Sequence, residues 1–394
     1  MVPRFRISGS SRLITILLIL FHSLSSKASP DSLSTASDTF KVALLLPLYA
    51  AQLEQLDTVP DQSAQLISSS IPALHFYEAA RMFRDSLAAN GRTVEFRVLD
   101  TGQDTSLVMK QLNVFRGGQY DAVISMLPMS FQPYLTSASN RWKKPVYLFQ
   151  SSNAGPLYKS QWLRLVLPSN NTQIRMTAMH LIESYPDAEI HTVYRDQRNE
   201  REVARLFKSV IDSMSNDTMR CRPFQYKGQG WTGFAGRLSR EKKNLVIVPT
   251  IDESFLSSFL NALEPVRKEH DIVLCGMPSW EGFESVDPVL LQEMNTILFN
   301  GYHIDGSLRD VMEFRRAFVN EFHADPLTQA YMAWDALALA YNEWLGEELQ
   351  DARLIRCLNI RSDLVPVCEG CGKENRLVPI LKYHDFTLIP IGTD

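Results

Sequence analysis

A chain of 394 residues is too long for one small core, and 45% hydrophobic with 21% charged residues is the composition of a globular protein. A formal net charge of −4 offers no basic face to nucleic acid, since Lys and Arg are mixed with Asp and Glu. The longest basic cluster past the N-terminus, Arg237 to Lys243, is broken by Ser239 and Glu241 and reads as a solvated helix face.

Arg4, Arg6 and Arg12 precede an apolar run from Leu13 to Phe21. That run is well short of the roughly 20 residues that span a bilayer, so a secretory signal peptide is expected rather than an uncleaved anchor. Ser26-Lys27-Ala28 supplies the small residues for cleavage after Ala28, which would leave the mature chain periplasmic or secreted. The first cysteine is Cys221, so lipid attachment at a cysteine directly after the signal is not expected. Residues 29–40, rich in Ser, Thr, Asp and Pro, read as a linker.

Lys41 to Leu48 is a continuous apolar run, the pattern of a strand buried on both faces of a parallel sheet. Gln52 to Ser70 reads as a long loop, and Pro72 to Ala89 as a helix that begins on a proline and stops at Asn90-Gly91. Strands follow at Val94–Asp100, Ala122–Ser125 and Pro145–Phe149, with helical stretches between them. The alternation then restarts. Ile190–Tyr194, Leu245–Pro249 and Ile272–Cys275 are strands, and Asn199–Met214 and Ser254–Lys268 are helices. This predicts an α/β protein with two Rossmann-like lobes, each a parallel sheet flanked by helices. Leu327 to Leu345 is a further helix, and the tail carries short strands at Leu377–Leu381 and Phe386–Ile389.

Several of these segments resemble the type I periplasmic binding proteins, the group of branched-chain amino-acid receptors. Lys41-Val-Ala-Leu-Leu-Leu-Pro-Leu is similar to that family's opening strand, and Phe76-Tyr-Glu-Ala-Ala-Arg-Met-Phe to its first helix. Leu99-Asp100-Thr101 resembles the end of its second strand, and Trp162 to Asn170 the first passage between lobes. Trp334-Asp335-Ala336 stands where a Tyr-Asp-Ala is usual. Gly372 to Val378 and Tyr383 to Ile389 resemble the closing strands of Bacteroidetes envelope proteins of this superfamily. The resemblance runs from Lys41 to about Ile391 and implies three crossovers. It assigns 41–153 and 302–346 to an N-terminal lobe, and 162–300 and 355–394 to a C-terminal lobe.

Ligands of open parallel sheets sit beyond the carboxyl ends of the strands. The loops there nominate Tyr49, Thr101, Ser125, Leu127, Ser151, Ser152 and Asn153 in the first lobe, and Arg195, Asp196, Thr250 and Trp280 in the second. The serines and Asn153 suit a carboxylate or hydroxyls, Arg195 an anion and Asp196 an amine. Tyr49 and Trp280 suit stacking. Ser, Asn and Asp among these are also ordinary turn formers. The family's loop after this strand commonly begins Gly-Pro, whereas here Ser125-Met-Leu-Pro-Met-Ser130 makes a softer, more apolar wall.

Gly228-Gln-Gly-Trp-Thr-Gly233 matches a dinucleotide fingerprint in spacing, but Arg222 to Tyr226 is polar and interrupted by proline rather than a buried strand. A glycine-rich loop entering a helix is the better reading. Five cysteines leave at least one thiol unpaired. In an exported chain, Cys368 with Cys371, or Cys357 with either of them, would form a disulfide, and Cys221 with Cys275 is a further option. No metal-ligand spacing, nucleophile motif or phosphate loop is present, and Ser239-Arg-Glu-Lys242 sits in a charged stretch expected to be an exposed helix. No catalytic residue, metal or cofactor is therefore expected. The resemblance implies an exported receptor that holds a small solute between its lobes, with an ABC-type transporter as a candidate partner. The alternative is an envelope interaction or regulatory protein that keeps the fold, with an envelope protein as partner. A hidden hydrolase or reductase ranks last.

Overall fold

The computed structural model describes residues 39–54, 60–102, 105–215, 220–228, 230–346, 355–358 and 364–391. The expected signal peptide lies outside them. No helix among the described residues is long and apolar enough to cross a membrane.

The first run of elements is β1 (Thr39–Leu46), α1 (Ala50–Leu53), α2 (Pro60–Ala89), β2 (Thr93–Asp100), α3 (Thr105–Val114), β3 (Ala122–Ser125), α4 (Gln132–Trp142), β4 (Val146–Leu148) and β5 (Leu163–Leu165). The second is α5 (Asn170–Ser184), β6 (Glu189–Tyr194), α6 (Arg198–Met214), β7 (Cys221–Gln225), α7 (Thr232–Ala235), β8 (Asn244–Ile247), α8 (Glu253–Leu263), β9 (Ile272–Cys275), α9 (Pro288–Glu293) and β10 (Ile297–Phe299). Then come α10 (Arg309–Phe322), α11 (Thr328–Leu345), β11 (Leu364–Pro366), β12 (Lys373–Asn375), β13 (Ile380–His384) and β14 (Thr387–Ile391).

These strands form two seven-stranded sheets, in the orders β11-β12-β5-β4-β3-β1-β2 and β14-β13-β10-β9-β8-β6-β7. Each sheet is parallel except where β11, β13 and β14 join antiparallel. The unbroken apolar run of β1 has its cause in this arrangement. Phe40, Val42, Leu44 and Leu46 enter one core, under α2 and α11, while Ala43 and Leu45 enter a second on the opposite face. A strand covered on both sides has no position left for a polar residue, and each large side chain so buried stabilises the fold by about 1.5–3 kcal/mol. In the second sheet β8 divides in the same way, with Leu245 and Ile247 on one side and Val246 on the other.

Sheet pairing moves two sequence boundaries. Leu163–Leu165, assigned from sequence to the C-terminal lobe, pairs with β4 in the first sheet, and β12 and β11 extend that same sheet. A three-residue strand carries no sign of which neighbour it will choose. The chain therefore passes between sheets after β5, after β10 and between β12 and β13. The helix expected from Pro72 begins instead at Pro60, with Pro72 inside it. A proline removes one backbone hydrogen bond. Pro72 is an interior residue and not the first-turn start signal expected, and the buried face of Ala73, Phe76, Ala79, Ala80, Phe83 and Leu87 follows it. Residues 239–243 form a loop, not the expected helix, and Ser239 Oγ accepts from the amides of Glu241 and Lys242.

Polar anchors hold the late helix to the first sheet. Glu343 on α11 accepts from Arg164 Nη2 at 2.7 Å, from Tyr147 Oη at 2.6 Å and from Lys373 Nζ at 3.1 Å. Asp335, fully buried on the same helix, accepts from Tyr302 Oη at 3.1 Å and from the Leu358 amide at 2.6 Å.

In the second lobe, His191 on β6 is fully buried, and neither ring nitrogen has a hydrogen-bond partner among the described residues. Burial, helped by the charge of Arg222, lowers its pKa from 6.5 to about 4. The imidazole is therefore neutral at pH 7. The unfolded chain takes up the proton first as pH falls through 6.5, so stability drops with acidification down to about pH 4. Between pH 7 and pH 4 this group is expected to cost about 3 kcal/mol, which His191→Leu would abolish. Urea denaturation of both proteins at the two pH values checks it. Equal losses in the two proteins would refute the assignment.

Candidate functional site

A cavity of about 640 Å³ lies between the two lobes. The first lobe and its helices line it with Met129, Phe149, Gln150, Ser151, Thr328 and Met332. The second lobe contributes Asn170, Gln173, Ile174, Val203, Met277 and Glu281. Leu167, Pro168, Asn300, Tyr302 and Ile304 come from the segments that cross between the sheets. The crossings are tied to one another. Gln173 Oε1 accepts from the Gly301 amide at 3.0 Å while its Nε2 donates to the Pro168 carbonyl at 2.9 Å. Glu374, itself buried, accepts from the Ser169 amide at 2.9 Å, and Asn375 Nδ2 donates to the Val166 carbonyl at 3.1 Å.

The charged chemistry of the cavity is sparse. Glu281, on a single helical turn from Pro278 to Gly282, is the one charged side chain among the described lining residues. Its carboxylate accepts from Asn300 Nδ2 at 2.8 Å and faces His303 Nδ1 at 3.2 Å. The hydrogen bond with His303 holds the carboxyl below the usual carboxylate range against the opposing effect of burial, so it is ionised at neutral pH. The N-terminus of α5 also reaches the cavity, but its amides are engaged. Asn170 and Asn171 donate to the Ser151 and Ser152 carbonyls at 3.1 and 3.2 Å, and Thr172 donates to Ser169 Oγ at 3.3 Å. No cluster of three or more potential metal ligands occurs among the described residues.

No protein-family model matches the sequence, and no curated protein matches it either. Solved structures do match. An ABC transporter substrate-binding protein from Desulfitobacterium hafniense, in complex with Leu, is 15% identical with a TM-score of 0.55, over 90% of this chain and 100% of that one. A branched-chain amino acid ABC transporter periplasmic ligand-binding protein from Burkholderia xenovorans gives 9% identity and a TM-score of 0.57, over 90% and 94%. The C-domain of LpoA from Haemophilus influenzae, a regulator of PBP1A, gives 11% and 0.58, over 89% and 99%. This chain has the type I periplasmic binding protein fold.

Within that fold the nominated residues separate. Ser151 lines the cavity, with its Oγ donating to the Asn153 carbonyl at 2.5 Å. Ser152 and Asn153 are exposed beside it and do not line it, and Asn153 Oδ1 accepts from the Gly155 amide. Ser125 is buried and accepts from the Leu127 amide at 3.2 Å, while Leu127 packs on the first-lobe core. The apolar loop reaches the cavity through Met129 instead. Tyr49 adopts a left-handed backbone, φ 56°, and packs against Gly102, where a Cβ would come within 2.5 Å of its nitrogen. Asp100 organises both loops by accepting from the amides of Leu48, Tyr49, Ala50 and Gly102 at 2.8–3.0 Å. Thr101 is buried beside them.

The second-lobe candidates are brought together, but by one another. Arg195 donates to Glu200, to Asp252 at 2.7 Å and to Thr250 Oγ1 at 3.2 Å, and lies 4.5 Å over the Phe255 ring. With its donors committed, it is no free anion site. Asp196 pairs with Arg201. Trp280 is only 1% exposed and donates from Nε1 to the Thr250 carbonyl at 2.8 Å, so its indole belongs to the core and offers no stacking face. Asn170, Gln173, Glu281, Asn300 and Tyr302 line the cavity and were not foreseen. Attention to the crossing segments would have found Asn300 and Tyr302, while Glu281 lies just past the strand-end loop at Gly276 to Trp280.

The glycine-rich motif is a loop into the short helix α7, with Gly228 and Gly230 at positive φ and Trp231 stacked on Tyr226 at 4.1 Å. The segment before it is a strand after all, β7, at the sheet edge where Pro223 is tolerated. Cys368 and Cys371 form a disulfide, while Cys221, Cys275 and Cys357 are free. Cys221 and Cys275 sit three strands apart in one sheet, roughly 14 Å, beyond disulfide reach.

Proposed function

We propose that this chain is an exported receptor that binds a small solute between its two lobes and performs no chemistry on it. The cavity carries the reading: about 640 Å³, lined by both lobes and by the crossing segments, with an apolar wall and a few convergent polar groups. Its place among knotted-together crossings suits closure by a hinge. Arg4, Arg6, Arg12 and the apolar run after them support export to the periplasm or beyond. The fold shared with transporter-associated binding proteins supports an ABC-type transporter as partner. A second reading, an envelope interaction protein with no solute, is favoured by the fold shared with the LpoA C-domain.

A thermal-shift screen of amino acids, amines, organic acids, sugars and nucleosides tests the proposal. A ligand at 100 times its Kd is expected to add about 2.7 kcal/mol to stability and raise Tm measurably. A complete absence of shifts, together with capture of one envelope protein abolished by substitutions outside the cavity, would favour the second reading.

A further inference from the structure

Resting on the receptor reading, we infer that the cavity takes an apolar organic amine and rejects ligands with a free carboxylate. A buried carboxylate ligand needs a cationic side chain or free amides to replace its water. No cationic side chain is on offer among the described lining residues. Glu281 is the one charged group among the described lining residues, and it is negative. The first amides of α5 are held by the Ser151 and Ser152 carbonyls and by Ser169 Oγ. Arg195, the nearest cation that sequence nominated, is bound to Glu200 and Asp252 and is not in the lining. A ligand carboxylate would thus enter beside a like charge with no cationic side chain in the described lining to offset it.

An ammonium meets the opposite situation. Glu281 accepts from Asn300 and faces His303, and a carboxylate has about four acceptor positions, so capacity remains for a third donor. The Gln150 and Asn300 side chains stand in the same lining. Part of the wall is suited to a hydrocarbon body: Phe149, Phe299, Met129, Met277 and Met332, of which the aromatics also favour a nearby cation and the methionines adapt to irregular shapes.

The test is calorimetric titration of the mature protein with two matched series: leucine, 3-methylbutylamine and 4-methylpentanoic acid, then phenylalanine, phenethylamine and 3-phenylpropanoic acid. Each series holds one hydrocarbon body constant and changes only the head group. The amine is expected to bind at least about 10-fold more tightly than its acid and amino acid, and Glu281→Gln to remove roughly 10-fold of that preference. Glu281 is 38% exposed, so the variant is expected to fold, which thermal unfolding verifies. Tighter binding of leucine or phenylalanine would overturn the amine assignment and leave the receptor reading standing. Amine binding unaffected by Glu281→Gln would overturn the role given to the carboxylate. Binding by neither series would overturn both the assignment and the receptor reading for ligands of this size.

Discussion

Glu343→Ala is expected to lower the stability of the protein by about 3–5 kcal/mol, the usual cost of stranding one half of a buried ion pair. The guanidinium left behind belongs to Arg164, whose side chain is 8% exposed and forms a two-pronged contact with the Glu343 carboxylate. Tyr147, on a fully buried position of β4, would lose the acceptor for its hydroxyl in the same step. The anchor joins α11 to β4, β5 and β12, so its loss loosens the helix from the first sheet. A double replacement, Arg164→Met with Glu343→Met, removes both charges and is expected to recover most of the loss. Guanidinium denaturation of the three proteins separates these outcomes. A single replacement costing under about 1 kcal/mol would mean that the pair is solvated as a surface bridge is.

The same group gives the acid side of the stability profile a definite sign. Burial pushes the Glu343 carboxyl up, but the hydrogen bonds and charge of Arg164, with Tyr147 and Lys373, outweigh it and hold the pKa at about 2, against an ordinary 4.5. A depressed carboxylate stabilises the fold fully above its unfolded pKa. That contribution, about 3 kcal/mol, is lost as pH falls from about 5 toward 2. His191 acts earlier, between 6.5 and 4. Acid unfolding should therefore steepen in two stages, and each substitution should remove its own.

Gly276→Ala is expected to cost about 3 kcal/mol and at least 10-fold in ligand affinity. A Cβ there would fall 2.2 Å from Trp280 Cε3, and the indole cannot retreat because it is buried and bonded to the Thr250 carbonyl. The Gly276 amide also donates to the Ile297 carbonyl at 3.0 Å, so the β9–β10 edge would shift with it. Met277, Pro278 and Glu281 ride on the same turn and line the cavity, which couples the packing defect to binding. Gly282→Ala is the control, because a Cβ at Gly282 meets nothing within 4 Å. Comparable losses in both variants would show that the turn, and not the indole contact, is what fails.

The sheet strands were the legible part of the sequence, because burial on both faces excludes polar residues and leaves an apolar run that local pattern alone can expose. β1 and β8 are of this kind. The residues lost to sequence reading depended on partners far along the chain. Arg195 has the look of an anion site in a loop, and only the fold brings Asp252 from the next unit to neutralise it. Trp280 reads as a stacking platform until Thr250 and Gly276 close around it. Pro72 is a sound start signal locally, yet the helix begins at Pro60 and carries Pro72 in its interior. The cavity residues at the crossings belong to segments without periodicity, so neither helical nor strand spacing could single them out. The apolar loop was read correctly in character, but its contact with the cavity comes through Met129 and not through Leu127.

The most direct measurement is the electron density between the lobes in crystals of the mature protein purified from its native envelope without denaturation. An organic molecule bounded by Phe149, Met277 and Phe299, with its polar end toward Glu281, is expected there. Protein side chains occupying that space, or a bound carboxylate held by a rearranged Arg195, would contradict it.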